Sequence, residues 1–273
     1  MKLELTVFSK RAVFTKLSVL VLSMLSGVRA EAAIVSLWEF NNSANLGQAT
    51  IGTNLTIVGT APTFSASQTY AGNTLSGVVN TSLGIGNHLL ATHGIAVNGG
   101  GARVNQYSML FDFRRPTDAV WRTLFQTDTT NLSDGDYFVR DEDNRLGVGA
   151  LGYTTNYQMP ADTWVRLVIT ADLTATGAYR TYIDGALVQT HTLPPLDGRF
   201  SFDPTVLLFA DESNENGLLS VGAVAMWDQA LTANEVLTLG IAGASIVAVP
   251  EPSSLILVGA VGLGVMRLRR RKH

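Results

Sequence analysis

From residue 34 to about residue 244 the chain repeats one pattern: short apolar runs rich in Val, Ile, Leu and aromatics, separated by turns rich in Gly, Asn and Asp. The runs at 34–40, 106–113, 121–126, 137–140, 164–171, 179–184, 187–191, 206–210 and 218–227 predict strands. No helical stretches alternate with them, so the pattern favours an antiparallel sandwich or barrel over βαβ units. Asp184-Gly185 sits between two alternating runs and predicts a tight hairpin turn. One helix is predicted. Thr232-Ala-Asn-Glu235 is a capping box, Val236, Leu237 and Leu239 supply apolar positions, and Gly240 is the stop. It is short enough to sit at an edge of the sandwich.

The two ends carry different patterns. Residues 1–33 hold a basic stretch ending at Lys16, an apolar run at 17–25, and small residues Ala30-Glu31-Ala32. That order predicts a secretory signal peptide, cut after Ala30, Ala32 or Ala33. At the other end, Pro250-Glu251-Pro252 is followed by an uncharged run at 255–266 and then Arg267, Arg269, Arg270, Arg271 and Lys272. The prolines prevent a helix from entering from upstream. The cations act as a membrane stop that holds the tail on the cytoplasmic side. The run from Leu255 spans only about 18 Å as a helix, against a hydrocarbon core of about 30 Å. Ser253 and Ser254 can extend it and the arginines can snorkel. Such an anchor suits a segment held briefly and then cut. Residues 244–249 read as a small-residue linker to it.

This tail resembles the PEP-CTERM sorting signal of Gram-negative bacteria, with Pro250, Glu251 and Pro252 as the sorting motif. The resemblance implies export, a transient tether in the inner membrane, cleavage by an exosortase, and delivery to the cell surface or extracellular matrix. The body, 34–243, resembles the LamG-like, concanavalin A-like jelly roll. The residues that carry this are Val35-Ser-Leu-Trp38-Glu-Phe40, Gln106-Tyr-Ser-Met-Leu-Phe-Asp-Phe113, Asp162-Thr-Trp164, Tyr182-Ile-Asp184-Gly185, and Val221 through Trp227 with the closing helix. The implied fold is all-β: a two-sheet antiparallel jelly-roll sandwich with one short C-terminal helix. A signal peptide and a membrane-sorting helix flank it. Family members commonly carry an acidic residue soon after the glycine of the last strand. Here Ala223, Val224 and Ala225 follow Gly222.

Charge sharpens the picture. The body holds 19 carboxylates, nine arginines and no lysine, and the chain holds no cysteine. An acidic exported body does not suit nucleic acid, and disulfides and thiolate metal sites are excluded. Three acidic turns are candidates for Ca²⁺: Asp134 with Asp136, Asp141 with Asp143, and Asp211 with Asn214. Solvated turns are the competing reading, because polar turns need no ligand to explain them. Tyr153 and Tyr157 lie in a polar loop and are candidate ligand contacts. Trp38, Trp121, Trp164 and Trp227 each fall in an apolar run and read as core.

The enzymatic signatures are weak. Gly147-Val-Gly149-Ala-Leu-Gly152 matches G-x-G-x-x-G, but Tyr153 through Pro160 cannot supply the helix that a dinucleotide site needs. Jelly-roll glucanases carry an E-x-D-x-E-like strand, absent here. His88, His93 and His191 form no H-E-x-x-H, and G-x-S-x-G and Walker A are absent. The expectation is a non-enzymatic exported protein that binds polysaccharide or glycoprotein. The alternatives are a structural matrix component without a specific ligand and a diverged glycoside hydrolase.

Overall fold

Apolar runs with period two pair into sheets when one face can be covered. The computed structural model describes residues 32–82, 86–128, 134–211 and 213–246. The sorting motif, the membrane stop and all but the last two residues of the signal segment lie outside them. Among the described residues the strands are β1 (Ile34–Trp38), β2 (Thr56–Val58), β3 (Thr63–Ser65), β4 (Gln68–Tyr70), β5 (Asn73–Leu75), β6 (Val78–Asn80), β7 (His88–Thr92), β8 (Gln106–Arg114) and β9 (Arg122–Gln126). They continue with β10 (Asp136–Val139), β11 (Leu146–Val148), β12 (Gly152–Tyr153), β13 (Val165–Asp172), β14 (Ala178–Ile183), β15 (Ala186–His191), β16 (Thr205–Leu208) and β17 (Ser220–Trp227). The helix is α1 (Ala233–Leu239).

Two antiparallel sheets form the sandwich that the sequence predicts. One runs β15-β14-β13-β8-β17-β6-β3, with β1 pairing β17 on the side that β6 also uses. The other runs β12-β11-β10-β9-β16-β7-β2. The main core lies between them. Tyr107, Met109, Phe111 and Phe113 face Leu124, Tyr137, Val139 and Leu208 across it. The Asp184-Gly185 turn forms as predicted, with both residues at positive φ (49° and 83°) and Ile183 opposite Ala186. That geometry requires residues that tolerate the left-handed region. The G-x-G-x-x-G segment is a tight β11–β12 hairpin.

The long central strands β8, β13 and β17 are buried at nearly every position, because both faces of their sheet are covered. The second cover is residues 228–246. The capping box on α1 is present in full, with Thr232 accepting from Glu235 N and Glu235 reaching back to Thr232 N. The helix does not sit at an edge. Val236 and Leu239 pack with Leu110, Val168, Tyr182, Ala225 and Trp227 on the outer face of the eight-stranded sheet. A 3.6-residue apolar stripe needs a flat apolar patch, and the outward residues of these central strands supply it.

Polar residues on that face hold the segment in place. The Ser108 hydroxyl donates to Gln229 O at 2.9 Å and accepts from Leu231 N at 2.8 Å. Arg166, fully buried, grips Asp112 with Nε and Nη2, each at 2.7 Å. Its remaining donors reach Leu239 O, and Ala244 O at 2.8 Å. Gly243 N donates to Asp112 at 2.9 Å. Ala244 and Ile246, assigned to the linker, touch the body. So do Ala32 and Ala33: Ala32 is buried, and Ala33 N donates to Asp228 at 2.8 Å.

Candidate functional site

One end of the seven-stranded sheet gathers three loops: 115–121 before β9, 140–145 between β10 and β11, and 209–219 between β16 and β17. Neighbouring order β10-β9-β16 brings them together. Arg122 fastens two of them from beneath. Its side chain is fully buried and donates to Leu218 O, Val120 O, Asp118 O and Asp118 Oδ1 at 2.6–3.2 Å. Gly217 N reaches Trp121 O at 2.8 Å, and Thr123 donates to Glu215 O through both N and Oγ1 at 2.9 Å. A guanidinium with five fixed donors suits this task, since each buried carbonyl needs a partner.

Above this floor lies an open cleft of about 730 Å³, lined by Asp118, Val120, Trp121, Asp141, Asn214 and Glu215 among others. Trp121 precedes β9 and stays partly exposed. It stands edge-on to Phe138, ring centroids 5.4 Å apart at 84°, with Tyr153 6.5 Å away. The Arg140 guanidinium lies 4.2 Å over the Tyr153 ring and pairs with Asp143 through Nε at 2.9 Å and Nη2 at 2.5 Å. Arg145 adds a second contact to Asp143 at 3.1 Å. The Arg140 hydrogen bonds hold the Asp143 carboxyl below its usual range. Partial burial raises the Tyr153 phenol, and nearby Glu215, Asp143 and Glu142 push it the same way. Asp141 Oδ1 is shielded from solvent and has no hydrogen-bond partner among the described residues.

The six candidate calcium ligands are not brought together. Asp141 and Asn214 meet at the cleft. Asp143 is held by two arginines, and Asp211 receives Ser213 N at 2.5 Å. Asp134 and Asp136 lie at the opposite end of the β9–β10 pair, where Asp136 faces Gln126. There Asp134 is buried against Gln126, and Asp136 lies 3.8 Å from Arg199. Among the described residues no three His, Asp or Glu side chains come close enough to hold a metal ion.

The aromatic assignments change too. Tyr153 joins the cleft rim, whereas Tyr157 packs against the main core with its hydroxyl buried and its pKa raised by that burial. Trp38, Trp164 and Trp227 are core or near-core, as read from sequence. Trp121 is not. The signal for it was the preceding Pro116-Thr-Asp turn, which places Trp121 at a loop end rather than inside a strand. His191 and His93 are tied into the fold by both ring nitrogens. His191 Nδ1 donates to Gly152 O at 3.0 Å and Nε2 accepts from the Thr181 hydroxyl at 2.7 Å. His93 Nε2 donates to Asp203 O at 2.5 Å.

Chemically, the cleft offers an aromatic surface and several carboxylates beside a polar loop. A ligand with an apolar face and hydroxyl or amine donors fits it. The family model described as the concanavalin A-like lectin/glucanases superfamily matches residues 91–237, and the PEP-CTERM protein-sorting motif matches residues 248–272. No curated protein matches this chain. Among solved structures, domain 4 of AbnA, a GH43 extracellular arabinanase from Geobacillus stearothermophilus in complex with arabinotriose, is 18% identical with a TM-score of 0.55. The alignment covers 77% of this chain and 99% of that one. The receptor-binding domain of botulinum neurotoxin D is 16% identical with a TM-score of 0.53, covering 76% and 52%. A structure of botulinum neurotoxin type C, whose cell entry depends upon interaction with two ganglioside molecules, is 13% identical with a TM-score of 0.52, covering 79% and 52%. The chain spans about half the length of these neurotoxin chains. At such identities the likeness is one of fold.

Proposed function

The chain belongs to the concanavalin A-like lectin and glucanase superfamily and ends in a sorting signal of exported proteins; from that premise we propose that its body is a non-catalytic carbohydrate-binding module of the cell surface or matrix. The observation that carries this reading is Trp121, a large aromatic left partly exposed on the wall of an acidic cleft while the other three tryptophans are buried. A sugar ring can lay its C–H face on such a ring and hydrogen-bond its hydroxyls to flanking carboxylates. The arabinotriose bound to the AbnA domain and the gangliosides of the neurotoxin lend support at the level of fold only. We infer exosortase processing and delivery to the surface of a Gram-negative cell, a reading that the sorting motif at residues 248–272 supports.

A glycan array with the full-length chain tests the proposal. Binding to at least one glycan class is expected, reduced about tenfold or more by Trp121→Ala, in line with loss of a stacked aromatic and its hydrogen bonds. A blank array would leave the structural-component reading in its place. The non-catalytic part is tested by a turnover screen on glucans and arabinans. Hydrolysis that disappears in Glu215→Gln would overturn it.

A further inference from the structure

We propose that His93 is an acid-operated latch: a second proton on its ring frees the Ile95 amide and lets residues 94–97 swing off the sandwich. β7 and β16 diverge after the Thr92–Thr205 pair, and His93 through Asn98 continue as a segment outside any strand. An open groove of about 310 Å³ lies along it, walled by Ile95, Val97, Val104 and Phe202 among others. Both ends of the segment are pinned. Ser36 Oγ donates to His93 O at 3.0 Å. The Asn98 side chain donates to Gln106 O at 2.7 Å and Asp228 O at 3.0 Å, and accepts from Asn105 N at 2.8 Å and Gln106 N at 2.7 Å. Between the pins, Gly94, Ala96 and Val97 make no hydrogen bond among the described residues. Gly94 sits at positive φ (72°), and Val97 is 60% exposed. Ile95 alone holds the middle. Its side chain is buried in the main core, and its amide donates to His93 Nδ1 at 2.9 Å.

The partners of the ring fix its protonation state. A carbonyl only accepts, so Nε2, 2.5 Å from Asp203 O, carries the proton. A backbone amide only donates, so Nδ1 is bare. The result is a neutral imidazole with both nitrogens satisfied. A second proton has one place to go, Nδ1, where it meets the N–H of Ile95. Two donors cannot share that contact, and turning the ring over forfeits the bond to Asp203 O as well. The charged groups lining the groove are Asp203 and Arg103, and they pair with each other, Arg103 Nε donating to Asp203 Oδ1 at 3.0 Å. β1 presents the uncharged Ser36, and Phe202 packs on the ring with centroids 5.5 Å apart. Burial holds the His93 pKa below the ordinary 6.5, against an opposing pull from Asp203. His191 is built differently. Its Nε2 meets the Thr181 hydroxyl at 2.7 Å, and a hydroxyl can rotate from donor to acceptor. An exported body, as the sorting signal implies, meets the pH of its surroundings directly.

The test is amide hydrogen exchange on the full-length chain in mild detergent, from about pH 7.5 to about pH 4.5, corrected for the intrinsic exchange rate. The opened ring takes a proton more readily than the latched one. Opening is therefore unaffected above pH 6.5, grows by up to about tenfold per pH unit as the pH falls toward the lowered value, and levels off below it. Ile95 and its neighbours should lose protection on that schedule, while the amides of β8 and β13 keep theirs. His93→Gln cannot take the proton and should make Ile95 exchange independent of pH, whereas His191→Gln should leave the acid opening in place. In the unsubstituted chain the His93 ring and the Ile95 amide should titrate by NMR with one midpoint. Separate midpoints would overturn the inference. So would Ile95 protection that stays constant across the range, an acid opening that survives in His93→Gln, or loss of protection in β8 and β13 at the same pH as in Ile95.

Discussion

The outer face of the eight-stranded sheet and the loop end of the seven-stranded one treat polar side chains in opposite ways. Over the eight-stranded sheet, Ser108, Asp112 and Arg166 are buried, and the donors and acceptors described for them are spent on residues 228–246. At the Trp121 end of the seven-stranded sheet, carboxylates face an open cleft and Asp141 keeps one oxygen without a partner. The first arrangement is architecture: polar groups satisfied by the chain's own backbone specify where one segment lies. The second sets Asp118, Asp141 and Glu215 on the lining of an open cleft. The difference separates acids that hold the fold from acids that can recognise a ligand, which sequence proximity alone does not do.

The largest expected effect comes from breaking the sealed face. Arg166→Ala strands a buried carboxylate and should cost about 3–5 kcal/mol, a drop on the order of 10 °C in Tm by thermal melting. Asp112→Leu with Arg166→Met should recover part of this, since a packed apolar pair avoids the desolvation penalty. It should not recover all, because Leu239 O, Ala244 O and Gly243 N lose their partners. Neither change should alter ligand affinity at the other face.

Acid probes the comparison more gently, because no histidine lies in residues 228–246 or lines the cleft. His93 and His191 are buried elsewhere, and burial lowers both below the ordinary 6.5. The native state then binds these protons less tightly than the unfolded chain. Their destabilising effect is absent above pH 6.5, grows as the pH falls from 6.5 toward the lowered native values, and levels off below them. The slope should be at most about 1.4 kcal/mol per pH unit for each imidazole. Melts between mild acid and neutrality check this, and His191→Gln should flatten the curve. Ligand affinity measured below the melting point should not follow the stability loss.

The smallest expected effect on stability is at the cleft itself. Trp121→Ala should cost about 1.5 kcal/mol, because the indole is partly exposed and its ring contacts are an edge-to-face pair with Phe138 and the more distant Tyr153. A large loss of stability would place Trp121 with the architectural residues and erase the contrast between the faces.

The sandwich was legible because its signals are local or continuous. β8, β13 and β17 show as long apolar runs because they are covered on both faces, and the capping box and the Asp184-Gly185 turn act within four residues. Strands β2 to β6, β11 and β12 were missed: none is longer than three residues, too short to show a period, and the five-residue β7 was missed with them. The meeting of Asp141 with Asn214 was also hidden. It depends on β10, β9 and β16 lying side by side, a long-range pairing that no local pattern encodes. Trp121 misled because Val120 and Leu124 give it apolar neighbours in sequence, while the chain enters β9 only at Arg122. Asp134 and Asp143 looked like metal ligands by composition, but one is buried against Gln126 and the other sits between two arginines.

The hold of Arg166 on Ala244 has a consequence for the far end of the chain. Ile246 packs on the body, and only residues 247–249 separate it from Pro250. Four residue steps reach at most about 14 Å. Any protease that engages the Pro-Glu-Pro segment must therefore work within a few residue lengths of a finished β-sandwich, with its entrance shaped to accept that bulk.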